Sequence, residues 1–259
     1  MYPRDIEIEI SLTLLPVDLL LVLGVIALFT GFIKAGVPSL GALLSACVAL
    51  VFPARDALGI TLMYLLVGDI VAVSLYWRLA HWPELKKMVL PVLFGVGSGG
   101  VMLYYLDNES LGLTIGLVVL FLVSLEPFRP RLTEWAFTHP HSARTSSGIL
   151  AGIATTIGNA AGPILSLYFL LLKLDKKAFI GTGSIFFLFV NISKVPIFMS
   201  QGIFKLAYVP SILLTAPLVF AGAIGGRKFL EWIPQYWFNR VILFFTAIAG
   251  LWLVLRYFS

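Results

Sequence analysis

The sequence predicts an all-α polytopic membrane protein built from two inverted repeats, each a re-entrant helical hairpin plus three transmembrane helices. Three observations carry this. The 259 residues are 59% apolar and only 12% charged, with a mean hydropathy of +0.99, whereas soluble domains sit near ~45–50% apolar and ~25% charged. The apolar residues fall in blocks along the whole chain, not in one anchor. The two halves repeat the same short motifs in the same order. A soluble enzyme and a nucleic-acid binder are both excluded, because no soluble globule of this length hides so much apolar surface.

A helix needs roughly 20 apolar residues to cross a hydrocarbon core of about 30 Å. In the first half the blocks are 17–33, 38–51, 57–77, 88–106 and 111–126. In the second they are 146–157, 163–173, 178–200, 206–226 and 236–257. Between the halves lies the one long polar stretch, 127–145, read as a cytoplasmic linker too short to hold a domain. The first repeat is thus 1–126, with hairpin 17–51. The second is 146–259, with hairpin 146–173. The start, MYPRDIEIEI, lacks the basic segment of a cleaved signal peptide, so the chain reads as mature.

The duplication rests on three matches. PVLFGVGSGG from 91 pairs with PLVFAGAIGG from 217; ALGIT from 57 pairs with AFIGT from 178; KAGVP from 34 pairs with NAAGP from 159. The offsets are 126, 121 and 125 residues. Charge then sets the topology. If 17–51 and 146–173 each return to the side they entered, Arg4, Arg55, Lys205 and Arg256 share one face. The other twelve loop cations, among them Arg78, Lys86, Lys87, Arg144 and Lys228, share the opposite one. The positive-inside rule favours this arrangement, at the plasma (inner) membrane with both termini outside. Length agrees for the second half, since 146–157 reaches only about 18 Å as a helix. Three crossings per repeat invert one half relative to the other, a recurring transporter plan.

Each hairpin tip has small residues, then Pro, then an apolar helix: Lys34, Ala35, Gly36, Val37 and Pro38 in one, Asn159, Ala160, Ala161, Gly162 and Pro163 in the other. Pro38 and Pro163 suit the first turn of a returning helix. A helix N-terminus carries unpaired N–H groups and partial positive charge, so two opposed tips would make an anion site largely from backbone. Gly36 and Gly162 would let the anion approach. The competing reading is that Gly and Pro only kink packed helices.

Three ionisable residues stand inside apolar blocks, Lys34, Asp69 and Lys194. Each demands a partner or a task. Lys34 at the first tip is placed to add charge to the anion site; the alternatives are an ion pair with Asp69 or snorkelling. Asp69 is either a proton carrier or the counter-ion that holds Lys34. Lys194 falls nearer the outer face, where snorkelling competes with ligand binding, and Asn191 shares its helix face. Thr61 and Thr182 are symmetric candidate hydroxyl donors, against back-bonding within their own helices. The pairs Gly99–Gly100 and Gly225–Gly226 suit close helix packing within one chain or between copies of a homo-oligomer. Cys47 is the lone cysteine, and His81, His139 and His141 fall in polar loops, so no cofactor or metal site is expected and no catalytic constellation appears.

Over essentially its whole length the chain resembles the sulfite exporter TauE/SafE family of membrane transporters. The resemblance is carried by GFIKAGVPSLGALL (31–44), ALGIT, VGDIVAVSLYWR (67–78) and PVLFGVGSGG in the first half. In the second it is carried by TIGNAAGPILSLYFLL (156–171), FIGTGSIFF (179–187) and NISKVPIF (191–198). Typical members carry a Gly-Gly-Gly cluster where this chain has Lys34 to Pro38. The resemblance implies outward movement of sulfite, a small organosulfonate or a related sulfur-containing anion. An anion channel and a proton-coupled importer are the alternatives. The expected partners are a small anion and the lipid bilayer, with no nucleic acid.

Overall fold

A computed structural model describes residues 15–36, 41–171, 174 and 176–232, together with 240, 244, 247–248, 251–255 and 257–258. Ten helices are bounded within them: α1 Val17–Gly36, α2 Gly41–Ala49, α3 Ala54–Tyr76, α4 Trp82–Tyr105 and α5 Asn108–Ser124, followed by α6 Arg129–Thr138, α7 Pro140–Gly158, α8 Ala161–Leu171, α9 Lys176–Ser200 and α10 Val209–Trp232. Five stretches among the described residues are long and apolar enough to cross a membrane: Val17–Lys34, Ala54–Ser74, Trp82–Tyr105, Gly181–Ser200 and Leu206–Gly226. Most of the expected block 236–257 lies outside the described residues, as do Val37 and Pro38.

Local signals explain the edges. Asp107 caps α5 by accepting the Ser110 N–H at 2.7 Å. That bond holds the Asp107 carboxyl below the usual range. Asn159 ends α7 in the left-handed conformation at φ 53°, which Asn tolerates better than most residues. Pro91 and Pro217, one repeat offset apart, both sit inside their helices, α4 and α10. Membrane helices tolerate this where neighbours satisfy the freed backbone.

One expectation needs correcting. The arm read as 146–157 and too short to span is α7, which starts at Pro140 and runs 19 residues, or about 28 Å. Polar residues of the first turns, such as His141 and Arg144, hid the helix start. The short arms are the second ones, α2 with 9 residues and α8 with 11. The linker 127–145 is itself largely helical, as α6 and the start of α7.

The order of ends follows from contacts. Near one face lie the starts of α1, α3 and α10 and the ends of α4 and α9: the Leu15 N–H donates to Ser211 Oγ, Asp56 pairs with Lys205, and Arg55 donates to the Leu103 and Leu106 carbonyls. Near the opposite face lie the starts of α4, α7 and α9, because Glu84 pairs with Arg144 and the His81 N–H donates to Thr182 Oγ1 at 2.9 Å. The centre is the antiparallel pair α3 and α9. A Cβ on Gly59, early in α3, would lie 2.0 Å from the Ile203 carbonyl oxygen beyond the end of α9. One on Gly181, early in α9, would lie 2.6 Å from that of Tyr76 at the end of α3.

The flanks are two parallel crossings of long helices. α1 lies along α10, with Gly24 against Leu218, Gly222 against Leu28 and Gly226 against Phe32. α4 lies along α7, with Gly148 against Pro91, Gly152 against Val92 and Gly99 against Thr156. In lipid there is no hydrophobic drive between helices, so close backbone approach over small residues holds them together. Of the expected glycine pairs, Gly99, Gly100 and Gly226 meet neighbours closely, and Gly225 meets nothing within 4 Å. Tyr64 adds a polar tie, donating to the Leu23 carbonyl at 3.1 Å and sharing a 2.6 Å bond with Thr215.

A side chain at these crossings forces the backbones apart. A Cβ at Gly222 would lie 2.0 Å from the Leu28 carbonyl oxygen. Gly222→Val should therefore lower the thermal midpoint in detergent by the equivalent of about 1–3 kcal/mol, while Gly225→Val should leave it near the parent value.

Candidate functional site

The start of α2 meets the connection between α7 and α8 inside the molecule. A Cβ on Gly41, the first residue of α2, would lie 2.4 Å from the Asn159 carbonyl oxygen. The Asn159 side-chain amide donates to Ser45 Oγ at 2.8 Å, which joins the second tip to α2. Ala160 and Ala161 are fully buried beside it, and Gly162 and Pro163 occupy the first turn of α8. Ala35 and Gly36 complete α1.

The ionisable residues converge on the same place. Lys34, in the last turn of α1, forms an ion pair with Asp69 of α3. Its stem lies over Gly68, where a Cβ would meet Lys34 Cγ at 2.9 Å, so the glycine makes room for the lysine. Its Nζ sits 4.9 Å from the centre of the Phe187 ring, a placement that stabilises a desolvated cation. The second Asp69 oxygen accepts from the Asn191 amide at 2.6 Å. One turn on, Lys194 is 0% exposed. It donates to Asn159 Oδ1 at 2.6 Å and to the carbonyl and hydroxyl oxygens of Thr155, each at 3.1 Å.

Three acceptors match the three N–H donors of an ammonium group. All three acceptors are neutral. With both amines protonated, the buried centre of the described residues holds two ammonium groups against one carboxylate, one positive charge in excess. A hydrocarbon surround makes that excess expensive unless a compensating anion enters. Asn191 Oδ1 is buried and has no hydrogen-bond partner among the described residues, a spare acceptor in the same network.

Several expectations change here. Snorkelling is ruled out for Lys194, whose amine points into the protein. Lys34 adopts the ion-pair alternative with Asp69. Thr182 is not in the network: its hydroxyl donates to the Ala178 carbonyl at 2.6 Å and accepts from His81, fixing the start of α4. Thr61 is buried and its hydroxyl has no partner among the described residues; it stands eight residues from Asp69 and so about 12 Å along α3. Sequence reading missed Thr155 and Ser45. Thr155 stands four residues before Asn159, on one helix face, and that spacing was the available signal.

A family model described as Sulfite exporter TauE/SafE matches residues 23–253. The chain belongs to that family. No curated protein and no solved structure matches it.

The charge balance of the centre can be tested directly. Asp69→Leu leaves two buried ammonium groups uncompensated and should cost about 3–5 kcal/mol of stability. Lys34→Met in the same chain should restore most of the loss in a thermal melt.

Proposed function

We propose that this TauE/SafE family member moves a small sulfur-containing anion, sulfite or an organosulfonate, outward across the plasma (inner) membrane. The observation that carries the reading is the buried centre, where Lys34 and Lys194 face a single carboxylate. A monovalent anion would neutralise it. The tips add backbone donors from the first turns of α2 and α8, whose partial positive charge favours an anion.

Movement is by alternating access. The two halves act as inverted repeats, each a re-entrant helical pair followed by three crossings, with both termini outside. The antiparallel run of α3 and α9 supports this, as does the exchange of partners in which the first helix of each half lies along the fourth helix of the other. Asp69 and Asn191, which bond to one another, lie near the repeat offset apart, as residues on a two-fold axis do. The burial of the centre favours alternation over an open channel.

Export of an anion needs no coupling ion when the interior is negative, since the membrane potential supplies about 2.3 kcal/mol per charge per 100 mV. In this reading Asp69 is a counter-ion: it keeps Lys34 charged and in place until the anion competes for it. A second reading, a proton-coupled importer, is favoured by the same contact. An anion that draws Lys34 away leaves the Asp69 carboxylate to take a proton.

Ligand-induced stabilisation tests the site, because a ligand at a hundred times its Kd adds about 2.7 kcal/mol to the folded state. Sulfite, sulfate, thiosulfate, sulfoacetate, taurine and nitrate are compared at matched ionic strength. Sulfite or a sulfonate should raise the midpoint, and Lys34→Ala should abolish the rise. A rise that survives in Lys34→Ala would sink the role given to that residue. In proteoliposomes Asp69→Asn should retain sulfite efflux; loss of pH-gradient coupling instead would select the importer.

A further inference from the structure

Two further side-chain clusters lie outside the central network, and they are built alike. At one face the Glu84 carboxylate, 4% exposed, accepts from Arg144 and from the Tyr168 hydroxyl. Arg144 Nε also lies 3.2 Å from the Tyr168 oxygen, and Lys87 stands 3.7 Å from the second Glu84 oxygen. At the other face the Asp56 carboxylate, 9% exposed, pairs with Lys205 at 2.6 Å and accepts from the Tyr208 hydroxyl at 3.0 Å. Each cluster is a carboxylate clasped by a tyrosine and by a cation from another helix or loop, with Lys87 a second cation beside Glu84.

Their placement gives them a use. Each spans the two halves: Glu84 and Asp56 belong to the first, Tyr168, Lys205 and Tyr208 to the second, and Arg144 to the start of α7, which leads into the second. They lie at opposite ends of α3. Asp56 is in its first turn, while Glu84 follows its C-terminus across the short Trp77–Leu79 turn. The helix has 23 residues, a length of about 34 Å, and Asp69 lies between its two ends. Both are closed at once, and the polar centre is buried. A charge-assisted, tyrosine-braced pair across a domain seam is stronger than a neutral contact, yet it sits at the rim where water can replace its partners.

We propose that the Glu84–Arg144–Tyr168 and Asp56–Lys205–Tyr208 clusters are the two gates of the transport cycle. Opening one while the other holds exposes the central site to one face only. The described state, with both closed, is the occluded intermediate. Glu84 and Asp56 are positioning residues that act through the seam and do not touch the anion. The inference rests on the alternating-access reading above.

The test reads sidedness. Cys47→Ser removes the native thiol, and Ala160→Cys places a reporter at the second tip, beside the centre and reachable only through an open gate. The protein is reconstituted in one orientation, and a membrane-impermeant thiol reagent is added to one face or the other, with no anion present. Glu84→Gln should speed labelling from its own face by at least about tenfold, the scale of a lost hydrogen bond to a charged group, and leave the opposite face at the parent rate. Asp56→Asn should give the mirror result. Tyr168→Phe and Tyr208→Phe keep the ion pairs and should shift labelling the same ways by less. They decide the matter if the carboxylate variants fail to fold.

Equal acceleration from both faces, or none from the variant's own face, would overturn the gates, since a merely structural loss has no sidedness. Labelling is read without substrate, so a parent protein that fails to move sulfite would strike the substrate assignment and leave the gate result to stand or fall separately.

Discussion

The structure depends on one constraint: a charge in the middle of a bilayer must be answered by the protein that brings it there. Lys34, Asp69 and Lys194 lie where water is excluded, and their polar contacts are made with other protein groups. Satisfying them fixes where α1 ends, since Lys34 must reach Asp69 over Gly68. It fixes the second tip, since Asn159 must take the left-handed turn that aims its amide between Lys194 and Ser45. It also fixes the separation of α3 and α9, which meet through Asp69 and Asn191. The glycine crossings at the flanks can then be seen as the means of holding long helices close enough for this network to close.

The same economy governs the ends of the molecule. A carboxylate near the membrane surface has a choice of water or protein, and Asp56 and Glu84 are both committed to protein, each with a tyrosine from the other half and a cation. The polar groups are thus arranged in three tiers along α3. The outer tiers join α4 to α7 and α8, and α3 to the stretch after α9, while the middle tier joins α1, α3, α7 and α9. Apolar packing fills the space between, with Leu58, Ile60 and Leu62 fully buried on α3.

Much of this was legible in the chain. Apolar blocks of spanning length showed the helical membrane class, because hydrocarbon thickness leaves a mark on spacing. Lys34, Asp69 and Asn159 were legible because an ionisable or amide group in an apolar block needs a reason. Snorkelling stayed open for Lys194, since linear position does not report which way a side chain points, and the buried amine closes it. Thr155 and Ser45 were illegible among the many hydroxyls that only bond back to their own helix, as Thr30 and Thr156 do. The start of α7 was misjudged because its first turns lie among polar groups and need no apolar residues.

The exchange of crossing partners bears on how the chain is made. α1 has its longest contact with α10, and Leu15 and Ser211 at the start of that contact are 196 residues apart. α1 therefore waits in the membrane until α10 has been made. Until then its glycine face must be tolerated by lipid or shielded by the insertion machinery. α7 has no such wait, because α4 is already in place when it emerges. In chain order α4 and α7 can therefore pair before α1 and α10 can. A chain cut short after α9 would leave α1 without its mate, an orphan that membrane quality control can recognise.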